Sequence, residues 1–391
     1  MAGNPDDLVV TGIAGSKVGE LWDVSLRDLA ARVMRDAIAD GGGLRPNSVF
    51  IGNMLAASAS HQANLGSLLC EYANLTGAEG VTAEAAEASG GAAIYMACNA
   101  VRSGMVDVAL VVGVEKITDV VDENIEAVIA KALDADYEAA QGLTPISQAA
   151  LLMQRYQYEN KFPREALARF AMIAHANAVG NPRAMYRKAI SEASYSRAGM
   201  VADPLNLFDV APFADGAAAV LITRRSLAPK DLKHPLVKIV SSSLVTDRLA
   251  IHDRVDPLFF EAAAVSAQKA CQKADVTVAD VDFFEYSDNT TLHAILSLEA
   301  AGFAPRGQGW KLASDGSLTH SGNLPVATMG GHKARGFPLG AAGVYQVVEA
   351  ALQLRGEAGE CQISGVKRGM VQTLGGTAST AVTHILEKGD E

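Results

Sequence analysis

Glu87 stands immediately before a run of small residues that opens an apolar helical stretch. Residues 88–93 read Ala-Ser-Gly-Gly-Ala-Ala, and the stretch continues to about Gly104. The free N–H groups at the start of a helix favour a carboxylate, which predicts that Glu87 is a capping group. In a dry pocket the same carboxylate acquires a raised pKa and can remove a proton as a general base. The residues by themselves leave both interpretations open.

The segment that follows Glu87 has a counterpart near the C-terminus. Residues 338–343 read Pro-Leu-Gly-Ala-Ala-Gly and open a second apolar helix, as residues 88–93 open the first. Each helix is followed by another apolar run, at 106–112 in the first half and around 359–363 in the second. The same order in both halves predicts an internally duplicated α/β protein.

The duplication also defines a domain organisation. Small-residue turns within 215–222 and 375–382 each lead into a last strand. We therefore expect two copies of one α/β unit, over residues 1–230 and 235–391. Residues 115–195 are richer in charge and in helical pattern, which predicts a helical insertion that covers one face and shapes a substrate pocket.

Composition excludes several classes of partner. The chain has 391 residues, a formal net charge of −11 and no Lys/Arg-rich run, so neither nucleic acid nor an anionic membrane surface is expected as a partner. The polar start and the absence of a long apolar window predict a cytoplasmic protein without a membrane span. The four cysteines lie far apart, which predicts buried hydrophobic residues and neither disulfides nor a zinc site.

Several ordered motifs give the chain a resemblance to the thiolases, in the archaeal and sterol-carrier-like branch of that family. They lie at residues 51–54, 87–91, 113–116, 209–219, 285–288, 302–312, 330–340 and 374–377. The resemblance implies a five-layered α/β/α/β/α fold, with two stacked mixed sheets around buried central helices. It also implies a coenzyme A thioester as substrate, no covalently bound cofactor, no metal, and assembly at least to a homodimer.

The chain departs from the thiolase pattern at each inherited catalytic position. Where thiolases carry the cysteine that takes up the acyl group, this sequence has Glu87, which cannot form that thioester. Where the branch carries a His-Asp motif, Ser287 precedes Asp288. Where the family has Gly-His-Pro, Phe337 replaces the histidine. A new histidine, His332, stands in the segment that usually reads Asn-Thr-Ser-Gly-Gly-Leu.

These motifs define the candidate site. His332 is the natural partner of Glu87 if the adjoining glycine turn lies as near the site as the resemblance implies. Tyr286 and His293 flank the Ser287 motif and are candidate donors. His293, on a helical run, is otherwise interpreted as a packing or surface residue, and His175 as a structural residue on a helix. The predicted catalytic residues are Glu87, His332, Ser287 and Tyr286, and the predicted substrate-binding residues are Ser89, Gly90, Phe337, Gly375 and Gly376.

Two classes of function follow. The first is an enzyme that forms or cleaves a carbon–carbon bond in an acyl-CoA without a cysteine acyl-enzyme, as a retro-aldolase-like protein or an atypical acyltransferase. The retro-aldolases of steroid side-chain breakdown place tyrosines where this chain has Ser287 and Phe337, so the resemblance supports the reaction class and not the mechanism. The second is a catalytically degenerate subunit that binds acyl-CoA, a thiolase paralogue or a small zinc-ribbon/OB-fold protein. An acetyl-CoA acetyltransferase with a trapping substitution at Glu87 is disfavoured, because Ser287 and Phe337 differ as well.

Overall fold

The computed structural model describes residues 4–120 and 124–389. Within these ranges the strands are β1 Leu8–Gly15, β2 Ser48–Gly52, β3 Glu79–Ala83, β4 Val108–Glu115, β5 Met200–Ala202, β6 Leu205–Asn206, β7 Gly216–Arg224, β8 Val237–Thr246, β9 Phe283–Glu285, β10 Arg368–Gly375 and β11 Thr380–Lys388. The α-helices are α1 Leu26–Asp40, α2 Ala56–Ala59, α3 Leu65–Tyr72, α4 Ser89–Arg102, α5 Asn124–Ile129, α6 Pro145–Asn160, α7 Leu167–Asn177, α8 Glu192–Ser196, α9 Glu261–Ala274, α10 Thr291–Ala300, α11 Lys311–Ser314 and α12 Ala342–Arg355. A π-helical turn lies at Gly331–Arg335.

The two halves of the chain contribute similar groups of strands. In the first group β2 lies parallel between β3 and β4, and β7 and β1 continue the sheet in antiparallel directions. In the second group β8, β11 and β10 are antiparallel neighbours, and β9 lies parallel to β10. The groups meet where β1 pairs with β8, through Val9 with Lys238 and Val10 with Val237.

The helices α4 and α12 lie between the two groups of strands. α4 contacts β2 and β4 of the first group and β10 and β11 of the second, and α12 contacts β7 and β10. The outer face of the first group is covered by α1 and α3, and that of the second by α9. These five layers confirm the predicted α/β/α/β/α fold, with the two mixed sheets joined by one short antiparallel pair.

Glycines allow α4 and α12 to cross in close contact. A Cβ atom on Gly90 would lie 2.9 Å from the carbonyl oxygen of Gly340, and one on Gly343 would lie 2.5 Å from the nitrogen of Gly91. Every residue of α12 is buried. Larger side chains at the crossing would force the helices apart, so these small residues serve the packing of one half against the other.

The segment between β4 and β7 forms a helical layer over the second half. Met153 of α6 and Phe170 of α7 belong to the same buried apolar cluster as Leu292 and Ile295 of α10. Because α10 follows the Ser287 motif, this layer encloses the part of the chain that carries several predicted site residues.

The strand after α12 begins later than the repeat predicts. Residues Gly359–Cys361 form a 3₁₀ turn, and β10 starts at Arg368. Gly356, Gly359 and Gly365 all have positive φ angles, of 79°, 58° and 77°. Left-handed residues interrupt an extended chain, so the apolar run around 359–363 is a turn region and not a strand.

All four cysteines are buried and unbonded, as predicted for small hydrophobic residues. Burial raises the pKa of Cys98, on the central helix α4, to about 12. Its thiol therefore stays protonated at neutral pH and is a poor nucleophile. In the described part of the chain, no helix is both long enough and apolar enough to cross a membrane.

Candidate functional site

A small, mostly apolar cavity lies at the start of α4, where segments from both halves meet. Its volume is about 20 Å³, which gives room for roughly one water molecule. The lining residues are Glu87, Ile129, Pro145, Ile146, Val210, Ala211, Phe213, Asn289, Thr290, His293, Phe337, Gly376 and Thr377. Three of the predicted site residues, Glu87, Phe337 and Gly376, are therefore in one wall, and none of the four cysteines is.

A tight turn before α4 directs Glu87 into this cavity. Ala86 has a φ of +50°, a left-handed conformation that costs a non-glycine residue roughly 1–2 kcal/mol. The hydroxyl of Ser89 accepts the N–H of Ala85 at 2.9 Å and donates to the carbonyl oxygen of Ala86 at 2.5 Å. Ser89, predicted to bind substrate, is thus engaged in holding the turn that positions Glu87.

The carboxyl group of Glu87 is buried, with 3% of the residue exposed. Its Oε2 accepts the backbone N–H of Gly376 at 2.7 Å. Burial raises the pKa of Glu87, the backbone N–H groups of Glu87 and Gly376 oppose that rise, and the charge of Glu84 adds to it. Because its pKa lies above the ordinary range, this carboxyl can exchange a proton closer to neutral pH than an exposed glutamate.

The turn between β10 and β11 brings the second half to Glu87. A Cβ atom on Gly375 would lie 2.2 Å from the carbonyl oxygen of Ala85, so the two turns touch through their backbones. Gly376 has a φ of +56°, which glycine adopts without strain. The glycine pair is needed because the N–H of Gly376 reaches Glu87 only at this close approach.

His293, a candidate donor otherwise interpreted as a packing or surface residue, is buried and also lines the cavity. It lies in the first turn of α10, and its Nδ1 is 2.9 Å from the hydroxyl of Thr290, the residue that caps this helix. Burial and the charges of Lys333 and Arg254 lower the pKa of His293 to about 3, against a contact with the Gly376 backbone. The imidazole is therefore neutral at physiological pH.

The sequence gives little sign of the position of His293. Every residue of α10 is buried, so polar and apolar residues show no helical alternation that would mark one face. The available signal is its place: His293 follows Ser287 by six residues, in the first turn of the next helix.

His332 lies behind the cavity wall and not beside Glu87. Its ring stacks on that of Phe337, with centroids 4.5 Å apart and planes 16° apart, and its Nδ1 is 2.9 Å from Oδ1 of Asn289. Its Nε2 is buried and has no hydrogen-bond partner among the described residues. No hydrogen bond or ion pair joins His332 to Glu87 in this part of the chain, because the Phe337 ring occupies the face that His332 would need.

Ser287, Tyr286 and Gly90 are not in the cavity wall. The Ser287 hydroxyl accepts the N–H of Leu374 at 3.0 Å and approaches the carbonyl oxygen of Gln372, so it is bound to the backbone of β10. Tyr286 is buried against Phe284 in the apolar cluster of the second half. Gly90 lies at the crossing of the central helices. The site predicted from the motifs is therefore only partly assembled around Glu87.

Asp288 supports the wall from behind. Its carboxylate accepts the N–H of His332 at 2.6 Å and approaches that of Lys333, which holds the π-helical turn. A Cβ on Gly331 would lie 2.7 Å from this carboxylate, so glycine is required there. This π-helical turn leads directly to Phe337, which lines the cavity. Asp288 is thus a positioning residue, and π-helical turns commonly occur near functional sites.

Comparisons with known proteins match thiolases over nearly the whole chain. The thiolase N-terminal domain matches residues 9–226, and the thiolase C-terminal domain-like family matches residues 243–388. An acetyl-CoA acetyltransferase of Methanothermobacter thermautotrophicus is 40% identical over 384 residues, which cover 98% of this chain and 100% of that protein. A second acetyl-CoA acetyltransferase, of Methanocaldococcus jannaschii, is 34% identical over 97% of this chain and 98% of its own.

A solved structure shares the fold closely. The Ltp2-ChsH2(DUF35) aldolase matches with a TM-score of 0.85 at 21% identity, over 99% of both chains. At this identity the likeness concerns the fold alone. The family matches and the archaeal relatives, however, extend over the residues that build the cavity. The chain belongs to the thiolase family, whose members act on coenzyme A thioesters.

Proposed function

We propose that this protein cleaves or forms a carbon–carbon bond in a coenzyme A thioester without an acyl-cysteine intermediate, with Glu87 as the group that moves the proton. The observation that carries the proposal is the buried Glu87 carboxyl at the start of α4, in a cavity to which no cysteine contributes. Membership of the thiolase family supports an acyl-CoA as substrate.

The raised pKa of Glu87 makes its carboxylate a stronger base than an exposed glutamate. Proton transfer by a positioned side chain typically accelerates a reaction by about 10²–10⁴-fold, and it is most effective when the pKa lies near the working pH. The N–H of Gly376 limits the rotation of the carboxyl and keeps one oxygen directed toward the second half. Glu87 thus has both the position and the basicity for the role.

The cleavage direction can be written for a 3-hydroxyacyl thioester. Glu87 carboxylate removes the proton of the 3-hydroxyl group, the bond between the α- and β-carbons breaks, and the β-carbon leaves as an aldehyde or ketone. The electron pair of the broken bond forms the enolate of the shortened thioester. The proton on Glu87 then passes to the α-carbon, which restores the carboxylate and completes the reaction without an oxidant or reductant.

The test combines product analysis with mass spectrometry of the intact protein. Wild type, Glu87→Ala, Glu87→Gln and the control Glu84→Gln are incubated with 3-hydroxyacyl- and 3-oxoacyl-CoA thioesters. We expect wild-type turnover with no protein adduct, and a loss of about 10²–10⁴-fold in both Glu87 variants. Glu84 is exposed and its Oε1 accepts the N–H of Ala86, a bond that glutamine retains. Its charge is the smallest of the causes that shift the pKa of Glu87, so this control should lose far less activity than either Glu87 variant.

Two results would contradict the proposal. An acylated protein would reveal a covalent nucleophile elsewhere, and wild-type activity in Glu87→Ala would exclude Glu87 as the base. Thermal unfolding of each variant checks that it is folded, so that a loss of activity cannot be caused by unfolding.

A second function, a subunit without catalysis of its own, is favoured by the closed cavity. A volume of about 20 Å³ cannot hold an acyl chain unless wall residues such as Phe337 move. The aldolase of similar fold is named for two components, Ltp2 and ChsH2(DUF35). As a subunit, the chain would pair with a thiolase paralogue or a small zinc-ribbon/OB-fold protein. It would purify with that partner and be inactive alone, and a homodimer that turns over a hydroxyacyl-CoA would disprove this alternative.

A further inference from the structure

We infer that His293 donates a hydrogen bond to the thioester oxygen of the substrate, and so stabilises the enolate that forms during carbon–carbon bond cleavage. This inference rests on the proposed function, because it names the residue that would hold the negative charge generated by Glu87. The geometry that carries it is the presence of His293 and Glu87 in the wall of one cavity, each in contact with Gly376.

The His293 ring is held in a defined orientation. The Thr290 hydroxyl lies 2.9 Å from Nδ1, and its oxygen already faces the backbone N–H of His293 at 3.5 Å. The hydroxyl hydrogen is therefore free to bond Nδ1, which leaves the ring hydrogen on Nε2. Phe260 packs against the ring, with centroids 5.6 Å apart, and limits its rotation. The Nε2–H group then faces the carbonyl oxygen of Gly376, whose contact raises the pKa of His293, and a substrate oxygen in the cavity would share this donor.

A neutral imidazole suits this role. Burial of the ring, and then the positive charges of Lys333 and Arg254, disfavour the imidazolium form. Neutral imidazole still donates one N–H, and it does so without adding a charge that would pair with Glu87 and weaken that base. A preoriented donor in an apolar cavity stabilises a developing oxyanion more strongly than water does.

The two polar side chains of the second half that the motifs predicted as catalytic, Ser287 and His332, are held away from the cavity. The Ser287 hydroxyl bonds the backbone of β10, and the Phe337 ring separates His332 from the cavity. Asn289 also lines the cavity; its Oδ1 is engaged with Nδ1 of His332, and its Nδ2 amide, which has no partner among the described residues, is a second donor there. His293 is thus the histidine that reaches the cavity in the described part of the chain.

In the reaction, the bond between the α- and β-carbons breaks and its electron pair moves to the thioester as an enolate. The Nε2–H of His293 bonds the enolate oxygen and keeps its own proton. When the α-carbon takes up the proton from Glu87, the oxygen returns to a carbonyl and the hydrogen bond weakens. His293 therefore ends each cycle in its starting state.

The test uses infrared spectroscopy of acetyl-CoA labelled with ¹³C at the thioester carbonyl, bound to wild type, His293→Asn and His293→Gln. Glutamine places an amide N–H near the position of Nε2, whereas asparagine is too short to reach it. We expect the thioester stretch to lie at lower frequency in wild type and His293→Gln than in His293→Asn. Equal frequencies in wild type and His293→Asn, or no signal from a bound thioester, would overturn the inference.

Turnover measurements separate this inference from the proposed function. If the protein cleaves 3-hydroxyacyl-CoA, His293→Asn should lower kcat by about 10²–10³-fold with little change in KM. His293→Gln should recover activity to within about tenfold of wild type. An infrared shift without turnover would leave His293 as a thioester donor and contradict the proposed function, whereas turnover with an unchanged kcat in a folded His293→Asn would refute the role of His293.

Discussion

Both central helices begin beside a buried glutamate of the first half, and the two glutamates are bonded very differently. Glu87 precedes α4 and accepts one hydrogen bond from another residue, the N–H of Gly376. Glu115, at the end of β4, lies against the start of α12 and accepts four. Both residues are buried, so the difference lies in their partners and not in their exposure.

The bonds to Glu115 fill both of its oxygens. Oε1 accepts from the side chain of Asn53 and the N–H of Leu55, and Oε2 accepts from the N–H groups of Met54 and Gly340, at 2.9–3.1 Å. Burial nevertheless raises the pKa of Glu115 to about 7. Its carboxyl ties the loop after β2 to the start of α12, which is a structural role.

The comparison shows what makes a buried carboxyl available for chemistry. Glu115 has no acceptor capacity left, and it faces protein on every side. Glu87 keeps capacity on Oε1 and faces a cavity. Two buried carboxyls of the first half thus lie at the starts of the two central helices, and the number of donors around each one separates a fold-stabilising carboxyl from a candidate base.

The largest expected effect is a loss of folding stability when Glu115 is replaced, which tests the comparison directly. Glu115→Gln replaces one oxygen by an NH₂ group that faces two N–H donors, which leaves buried donors unpaired. We expect a loss of about 2–4 kcal/mol in the free energy of unfolding, measured by urea titration. Glu87→Gln keeps an oxygen for Gly376 and removes a buried charge, so it should lose no stability. Equal destabilisation by the two variants would mean that Glu87 is also structural.

A smaller effect is expected where the two helix starts touch. In Gly343→Ala the new Cβ would lie 2.5 Å from the nitrogen of Gly91, so α4 and α12 must separate. We expect a loss of about 1–3 kcal/mol in the same measurement. Gly19→Ala is the matched control, because a Cβ at Gly19 meets nothing within 4 Å. If Gly343→Ala were as stable as Gly19→Ala, close packing of the helices would not explain these glycines.

The smallest effect concerns pH. Burial raises the pKa of Glu87 in the folded chain, so the unfolded chain releases this proton first as the pH rises above the ordinary value of 4.5. The contribution of Glu87 to the free energy of unfolding therefore becomes more unfavourable as the pH rises above 4.5. It stops changing once the carboxyl of the folded chain is ionised as well. We expect the melting temperature of Glu87→Gln to exceed that of wild type by a margin that grows with pH above about 4.5. A margin independent of pH would show that the Glu87 pKa is not raised.

The motifs predicted the fold well because they report backbone geometry. The glycines at 90, 91, 340 and 343 indicate a close helix crossing, and the small-residue turns mark the starts of β7 and β11. The apolar run around 359–363, which the repeat sets opposite a strand of the first half, forms a 3₁₀ turn instead, and Gly359 within it has a left-handed conformation. Composition alone does not distinguish such a turn from a short strand.

The site was less predictable, because it depends on side chains from segments far apart in the chain. The sequence by itself determined the thiolase architecture, and it predicted that Glu87 stands where thiolases carry the acyl-accepting cysteine. Only the tertiary structure decided that Phe337 shields His332, that Ser287 bonds β10, and that His293 reaches the cavity. The physical reason is that spacing along the chain sets the local direction of a side chain, whereas the packing of distant elements decides which groups it meets.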